Sequence, residues 1–165
     1  MASDDEVLKV DDKQLAQLIA ALRAEGTGEE LTRQLIRDLK EVAAPARDAA
    51  RAAIESYPSH SVREPHITAA ISRATQVTVH TGGAHPGVGV RVSKSGMPRG
   101  FSNAPAAFNA TKWRHPVFGR NVWRDQVGLP GWFDKTMERF KAAANEAAGR
   151  AMDAMAKRID EKTRG

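Results

Sequence analysis

Phe133, Met137, Phe140, Ala144, Ala148, Met152, Met155 and Ile159 follow one another at steps of four, three, four, four, four, three and four residues. That spacing is one face of an α-helix about seven turns long. The other face alternates in sign through Glu138, Arg139, Glu146, Arg150, Asp153 and Lys157. A helix of this length with one apolar stripe has to bury it against other elements, and Gly131 marks its start. Residues 160–165 are expected to fray.

A second long helical pattern lies upstream. Leu31, Leu35, Leu39 and Val42 form a stripe that Ala46, Ala49, Ala53 and Ile54 continue. Arg33, Arg37, Lys40, Arg47 and Arg51 occupy the other side, interleaved with Asp38, Glu41, Asp48 and Glu55. Thr27 with Glu30 fits a capping box. Pro45 falls mid-pattern, where it removes one hydrogen bond and crowds the preceding turn. The segment therefore reads as one kinked helix or as two helices meeting, closed by Pro58. Upstream, Leu15, Leu18, Ile19 and Leu22 mark a shorter helix, with Asp11 and Asp12 as N-cap candidates and Gly26 and Gly28 as its stop. Glu6–Val10 (EVLKV) suits a short strand or an extended arm within residues 1–10.

The middle of the chain changes period. HITAAISRA, after Pro65, reads as a short helix or an irregular segment. Thr75–Thr81 alternates strictly, with Val77 and Val79 on one face, and Val88, Val90 and Val92 alternate after a Gly/Pro-rich turn. Two alternating runs around such a turn predict a β-hairpin. Residues 93–107, rich in Gly, Pro, Ser and Asn, are expected to form a flexible loop. The expected fold is α+β: a long kinked N-terminal helix and a long C-terminal helix packed on a small antiparallel sheet, as a single domain over 1–165. Much of the 41% hydrophobic content is alanine and only 5% is aromatic, so the core is thin. A thin core makes subunit contacts a source of stability.

Several functions are disfavoured by what is missing. The chain has no cysteine, which removes disulfides, thiolate metal sites and a cysteine nucleophile. His60, His66, His80 and His85 flank breaks and turns without the spacing of a metal site. There is no G-x-S-x-G elbow, no phosphate-binding P-loop and no dinucleotide fingerprint. No enzyme, metal or cofactor is expected. No apolar run approaches the length of a membrane span, and the acidic N-terminus lacks the apolar core of a signal peptide. A soluble protein made in a cytoplasm, with no membrane partner, is expected. The net charge of +5 comes from 25 basic and 20 acidic residues, and a mixed surface of that kind permits DNA nearby without demanding strong binding.

Arg114–Trp123 (RHPVFGRNVW) stands apart. The chain has three tryptophans, and Trp113, Trp123 and Trp132 all lie in or beside this stretch. Lys94, Arg99, Lys112, Arg114, Arg120 and Arg124 surround Phe101, Trp113, Phe118 and Trp123. Basic residues among aromatics can bind single-stranded nucleic acid by stacking. Tryptophan is also enriched in interfaces, and in so aromatic-poor a chain, burial or subunit contact is favoured. His115-Pro116 and Phe118-Gly119 read as turn-setting pairs. Trp113, Trp123 and Trp132 read as anchors fixing that turn between the sheet and the terminal helix, with Arg114, Arg120 and Arg124 as its rim.

The run from Trp113 to Gln126 (WRHPVFGRNVWRDQ), followed by Gly131-Trp132-Phe133 and an Ala-rich helix, resembles a family of small virion proteins of long-tailed phages. These are the neck, or tail-completion, proteins encoded between the head-closure genes and the tail-tube gene. The likeness is strongest to members from phages of actinobacteria. It extends upstream to Ile71-Ser72-Arg73-Ala74 and to Thr81–Val92 (TGGAHPGVGVRV), and covers about Leu31 to Ile159. Relatives often carry Asn-Arg where this chain has Arg120-Asn121, which changes side-chain contacts there but not the charge. The resemblance implies an α+β subunit without enzymatic activity. It implies a ring, typically sixfold, in the virion at the head–tail junction, through which double-stranded DNA passes without sequence-specific binding. Its partners would be copies of itself, head-closure or adaptor proteins, the tail terminator and the tail tube. Trp113, Arg114, His115, Pro116, Phe118, Arg120, Trp123, Arg124 and Trp132 become candidates for subunit docking. The alternative reading is a small basic nucleic-acid-binding module.

Overall fold

A computed structural model describes residues 12–24, 28–58, 66–82, 87–116 and 122–164. The expected arm at residues 1–10, the Asp11 cap, the Thr27 capping box, His60 and His85 lie outside these residues. The elements run α1 (Asp12–Ala24), α2 (Gly28–Glu55), α3 (Ile67–Ala74), β1 (Thr75–His80), β2 (Gly87–Val92), α4 (Ala104–Asn109), β3 (Lys112–Pro116), β4 (Trp123–Val127) and α5 (Asp134–Arg164). The α+β class and the two long helices match the expectation.

Helix α2 is the spine. It touches α1, α3, α5, β1 and β2, so its buried stripe serves several partners. Leu31, Leu35, Leu39, Ala43, Ala46, Ala50 and Ile54 are all buried, at the steps of four and three that keep one face inward. The leucines follow the expected stripe. Past Pro45 the buried positions are Ala46, Ala50 and Ile54, while Ala49 and Ala53 are half-buried.

Pro45 lies inside one continuous helix, which decides between the two readings of that segment. Its side is exposed, so the Glu41 carbonyl that loses its hydrogen bond can turn to water.

On α5, Phe133, Met137, Ala144, Ala148, Met152 and Met155 are buried and Phe140 and Ile159 are partly so, as the spacing requires. Alanines at the middle of both long helices permit close approach of the backbones. Arg158 near the end of α5 pairs with Asp38 in the first half of α2 at 3.8 Å, so the two helices run antiparallel. The helix continues to Arg164. Arg47 hydrogen-bonds Asp48 at 2.8 Å on the surface of α2, holding that carboxyl below its ordinary range.

The first hairpin has the expected strands, with Val77 opposite Val90 and Val79 opposite Val88. Val88 and Val90 are buried. Arg51 of α2 fixes the entry to β1: its Nε and Nη2 donate to the Thr75 carbonyl at 3.1 and 2.8 Å. HITAAISRA resolves into helix α3. Two expectations need correction. The sheet is not one but two separate two-stranded sheets, β1–β2 and β3–β4. Residues 93–107 are not a plain loop either. They hold a 3-10 turn at Lys94–Gly96 and the start of α4, whose Ala104 and Phe108 are buried in the core.

Replacing Pro45 by alanine restores a helical N–H at an exposed position, and we expect it to stabilise the chain by roughly 1–3 kcal/mol. Urea unfolding measures this; a loss of stability would mean that packing around α2 requires the proline.

Candidate functional site: the second hairpin

Of RHPVFGRNVW, Arg114–Pro116 belong to one strand and Trp123 opens another, and the two strands pair as a second hairpin. Strands β3 and β4 pair antiparallel with Lys112 opposite Val127, Trp113 opposite Gln126, Arg114 opposite Asp125, His115 opposite Arg124 and Pro116 opposite Trp123. This corrects the reading of His115-Pro116 as a turn: both residues belong to β3. Phe118, Gly119 and Arg120 lie outside the described residues.

The base of the hairpin is tied to the body by backbone bonds. Gly128 N–H donates to Thr111 at 3.1 Å, Leu129 to Phe108 at 2.7 Å and Gly131 to Asn109 at 3.1 Å. A Cβ on Gly128 would overlap the Ala110 carbonyl oxygen and stand 2.8 Å from that of Phe108, so the crossing there needs glycine. Tyr57, just past α2, donates its hydroxyl to the Val127 carbonyl at 2.6 Å and packs edge-on against Phe108. Asn109 joins the same base to α5. Its Oδ1 accepts the Phe133 N–H at 3.3 Å and its Nδ2 donates to Asp134, serving an N–H that the first turn of a helix leaves unpaired. Gly131, at φ +71°, makes the turn into that helix.

Above this base the hairpin has two different faces. Alternation along each strand places Trp113 and Gln126 on the face toward the body, where both are half-buried. Trp113 lies 5.7 Å from the Phe108 ring. The other face carries Lys112, Arg114, Trp123, Asp125 and Val127, all exposed. Arg114 and Asp125 pair across the strands at 3.2 Å; solvent screens this pair, so it favours the register more than it adds stability. The large apolar side chains left exposed among the described residues are Val122 at 49%, Trp123 at 55% and Val127 at 61%. All of them lie on β4 or beside it.

The three tryptophans therefore part company. Trp132 is 4% exposed and meets Phe133 edge-on at the start of α5; it is an anchor. Trp113 is a partial anchor. Trp123 is not one, which corrects the expectation: it faces away from the core. Arg124 is exposed like the expected rim, while Arg114 is engaged with Asp125. Tyr57, Phe108, Asn109 and Gly128 do much of the positioning and were not singled out from sequence. The signal available for them was weak: a lone tyrosine, and a Gly-Leu-Pro-Gly run that marks a turn without saying what it crosses.

No helix among the described residues is long and apolar enough to cross a membrane, and no group of three His, Asp or Glu residues among them could hold a metal ion. Comparison with protein-family models, curated proteins and solved structures finds no match.

Three substitutions separate base from face. Gly128→Ala should cost about 1–3 kcal/mol or prevent folding, and Trp132→Ala about 3–5 kcal/mol. Trp123→Ala should stay within about 0.5 kcal/mol of the unmodified chain. Urea unfolding of the three variants tests this, and a large loss for Trp123→Ala would restore it as an anchor.

Proposed function

We propose that this protein is a structural virion component that forms a ring at the head–tail junction of a long-tailed phage, joining the head connector to the tail and letting DNA pass. The observation that carries the reading is the β4 face. A hairpin tied firmly at its base presents to solvent Val122, Trp123 and Val127, the large apolar side chains left exposed among the described residues. Exposed apolar clusters on a rigid support mark protein contacts. Val122 and Trp123 lie within the same Trp113–Gln126 run that resembles the neck proteins, and Val127 adjoins it, so the docking role and the resemblance share residues. Trp123 on the outer face and Arg124 on the other are both exposed and are the docking residues most available to a neighbour; Trp113 packs against Phe108 and Trp132 against Phe133. The mixed surface charge suits a subunit beside passing DNA, since each neutralised phosphate would slow translocation. The partners would be further copies of the chain, head-closure or adaptor proteins, the tail terminator and the tail tube.

The nucleic-acid-binding alternative draws on Trp123, an exposed aromatic on the same hairpin face as Lys112 and Arg114. It is weakened because Phe101 and Trp113 pack against the core and Arg114 is engaged with Asp125. A stacking surface needs successive aromatic platforms, and among the described residues Trp123 stands alone.

Electron microscopy of particles carrying a labelled chain should place it in a ring at the neck, and Trp123→Ala should leave the fold intact while reducing tail joining. A label elsewhere in the particle, or normal joining by that variant, would refute the docking role. In a DNA titration the unmodified chain should bind weakly. Tight binding that falls steeply with salt, from a chain that stays monomeric and is absent from the neck, would favour the alternative.

A further inference from the structure

The two edges of the second hairpin differ in what they can bind. Gly128 N–H donates to the Thr111 carbonyl, so Thr111 and Gly128 form a hydrogen-bonded pair. In an antiparallel ladder such pairs alternate with non-bonded ones. Arg114/Asp125 and Pro116/Trp123 are then non-bonded pairs, with their backbone groups directed outward. Two observations agree with this. Pro116, which has no N–H to give a ladder, falls on a non-bonded position, and the Val127 carbonyl points outward, where it accepts from Tyr57. The outer edge of β3 is thus blunted by a proline. The outer edge of β4 presents the N–H and C=O groups of Trp123 and Asp125, beside the exposed Val122 and Trp123 side chains. An edge of this kind accepts an added strand.

We propose that the added strand is Glu6–Val10 of a second copy of this chain. This rests on the reading of the hairpin as a docking element between copies, and names what docks. The segment EVLKV holds two β-branched valines and a leucine in five residues, a composition that suits a strand, and follows Asp4 and Asp5. It brings an acidic flank to a hairpin whose described charges are Lys112, Arg114 and Arg124 against Asp125. Chain length selects a second copy over the chain's own arm. Val10 is two residues from Asp12, the first residue of α1, and so lies within about 7 Å of it. Residues 25–27 join α1 to α2, a connection short enough to make the two helices antiparallel. Helix α1 spans about 20 Å and α2 about 42 Å, so the start of α1 lies about 20 Å short of the end of α2, where Tyr57 meets the hairpin. An arm tethered there brings Glu6 at most to the base of its own hairpin and cannot lie along Trp123–Asp125. A contact from the arm of one copy to β4 of the next is head-to-tail, the kind that closes into a ring when the rotation permits.

Amide hydrogen exchange of the full-length chain tests this at the Trp123 and Asp125 N–H groups, with light scattering alongside. Exchange at both should slow about tenfold or more as protein concentration rises through association. Leu8→Pro, which removes an N–H from the arm outside every described helix, should abolish that slowing while circular dichroism stays unchanged. Protection independent of concentration would mean pairing within one chain and overturns the proposal, as does protection that survives Leu8→Pro. Oligomers without protection of these amides overturn the arm and leave the ring standing. A chain that stays monomeric and unprotected also overturns the arm, and particle imaging then decides the ring separately.

Discussion

Burial of one face of α2 holds this protein together. Leu31, Leu35, Leu39 and Ile54 each contribute about 1.5–3 kcal/mol when removed from water, and the alanines between them let neighbouring backbones come close. The same stripe is shared by α1, α5, α3 and the first hairpin. Few aromatic side chains are therefore needed, because the core is a seam along one helix and not a broad interior. Arg51 extends the seam's influence by fixing the Thr75 carbonyl where α3 turns into β1.

The second hairpin depends on that seam indirectly. Tyr57 leaves the end of α2 and meets both Phe108 and the Val127 carbonyl. Asn109 then passes the constraint to the first turn of α5. The hairpin base is thus set from three directions, by α2, α4 and α5, while the upper strands carry mostly polar or exposed side chains. Rigidity below and exposed apolar surface above is an arrangement suited to presenting a surface to another chain, and less suited to enclosing a small molecule.

The two long helices and the first hairpin were legible because their burial is periodic. Steps of three and four along 133–159, and Val77/Val79 against Val88/Val90, are signals that side chains alone generate. The second hairpin was not legible for the same reason reversed. Its body-facing side offers one aromatic, Trp113, and its outer side mixes Lys112, Arg114 and Asp125 with Trp123 and Val127, so no apolar alternation emerges. Pro116 also reads as a strand breaker, although at a non-bonded edge position it removes nothing from the ladder. The extra burial of Ala43 and Ala50 escaped notice because alanine is common on both faces of an Ala-rich helix.

From sequence alone came the α+β class, the helical stripes, the first hairpin and the concentration of tryptophans in one stretch, since each follows from residue type and local spacing. Only the tertiary structure decided what those tryptophans do. Whether an indole is an anchor or a contact depends on which strand face it occupies and what packs beneath. Trp132 lies under the start of α5, Trp113 against Phe108, and Trp123 one strand away on the side that the described residues leave exposed. Those fates are set by the pairing register of β3 with β4 and by the clamp at Gly128 and Asn109, long-range contacts that no local pattern encodes.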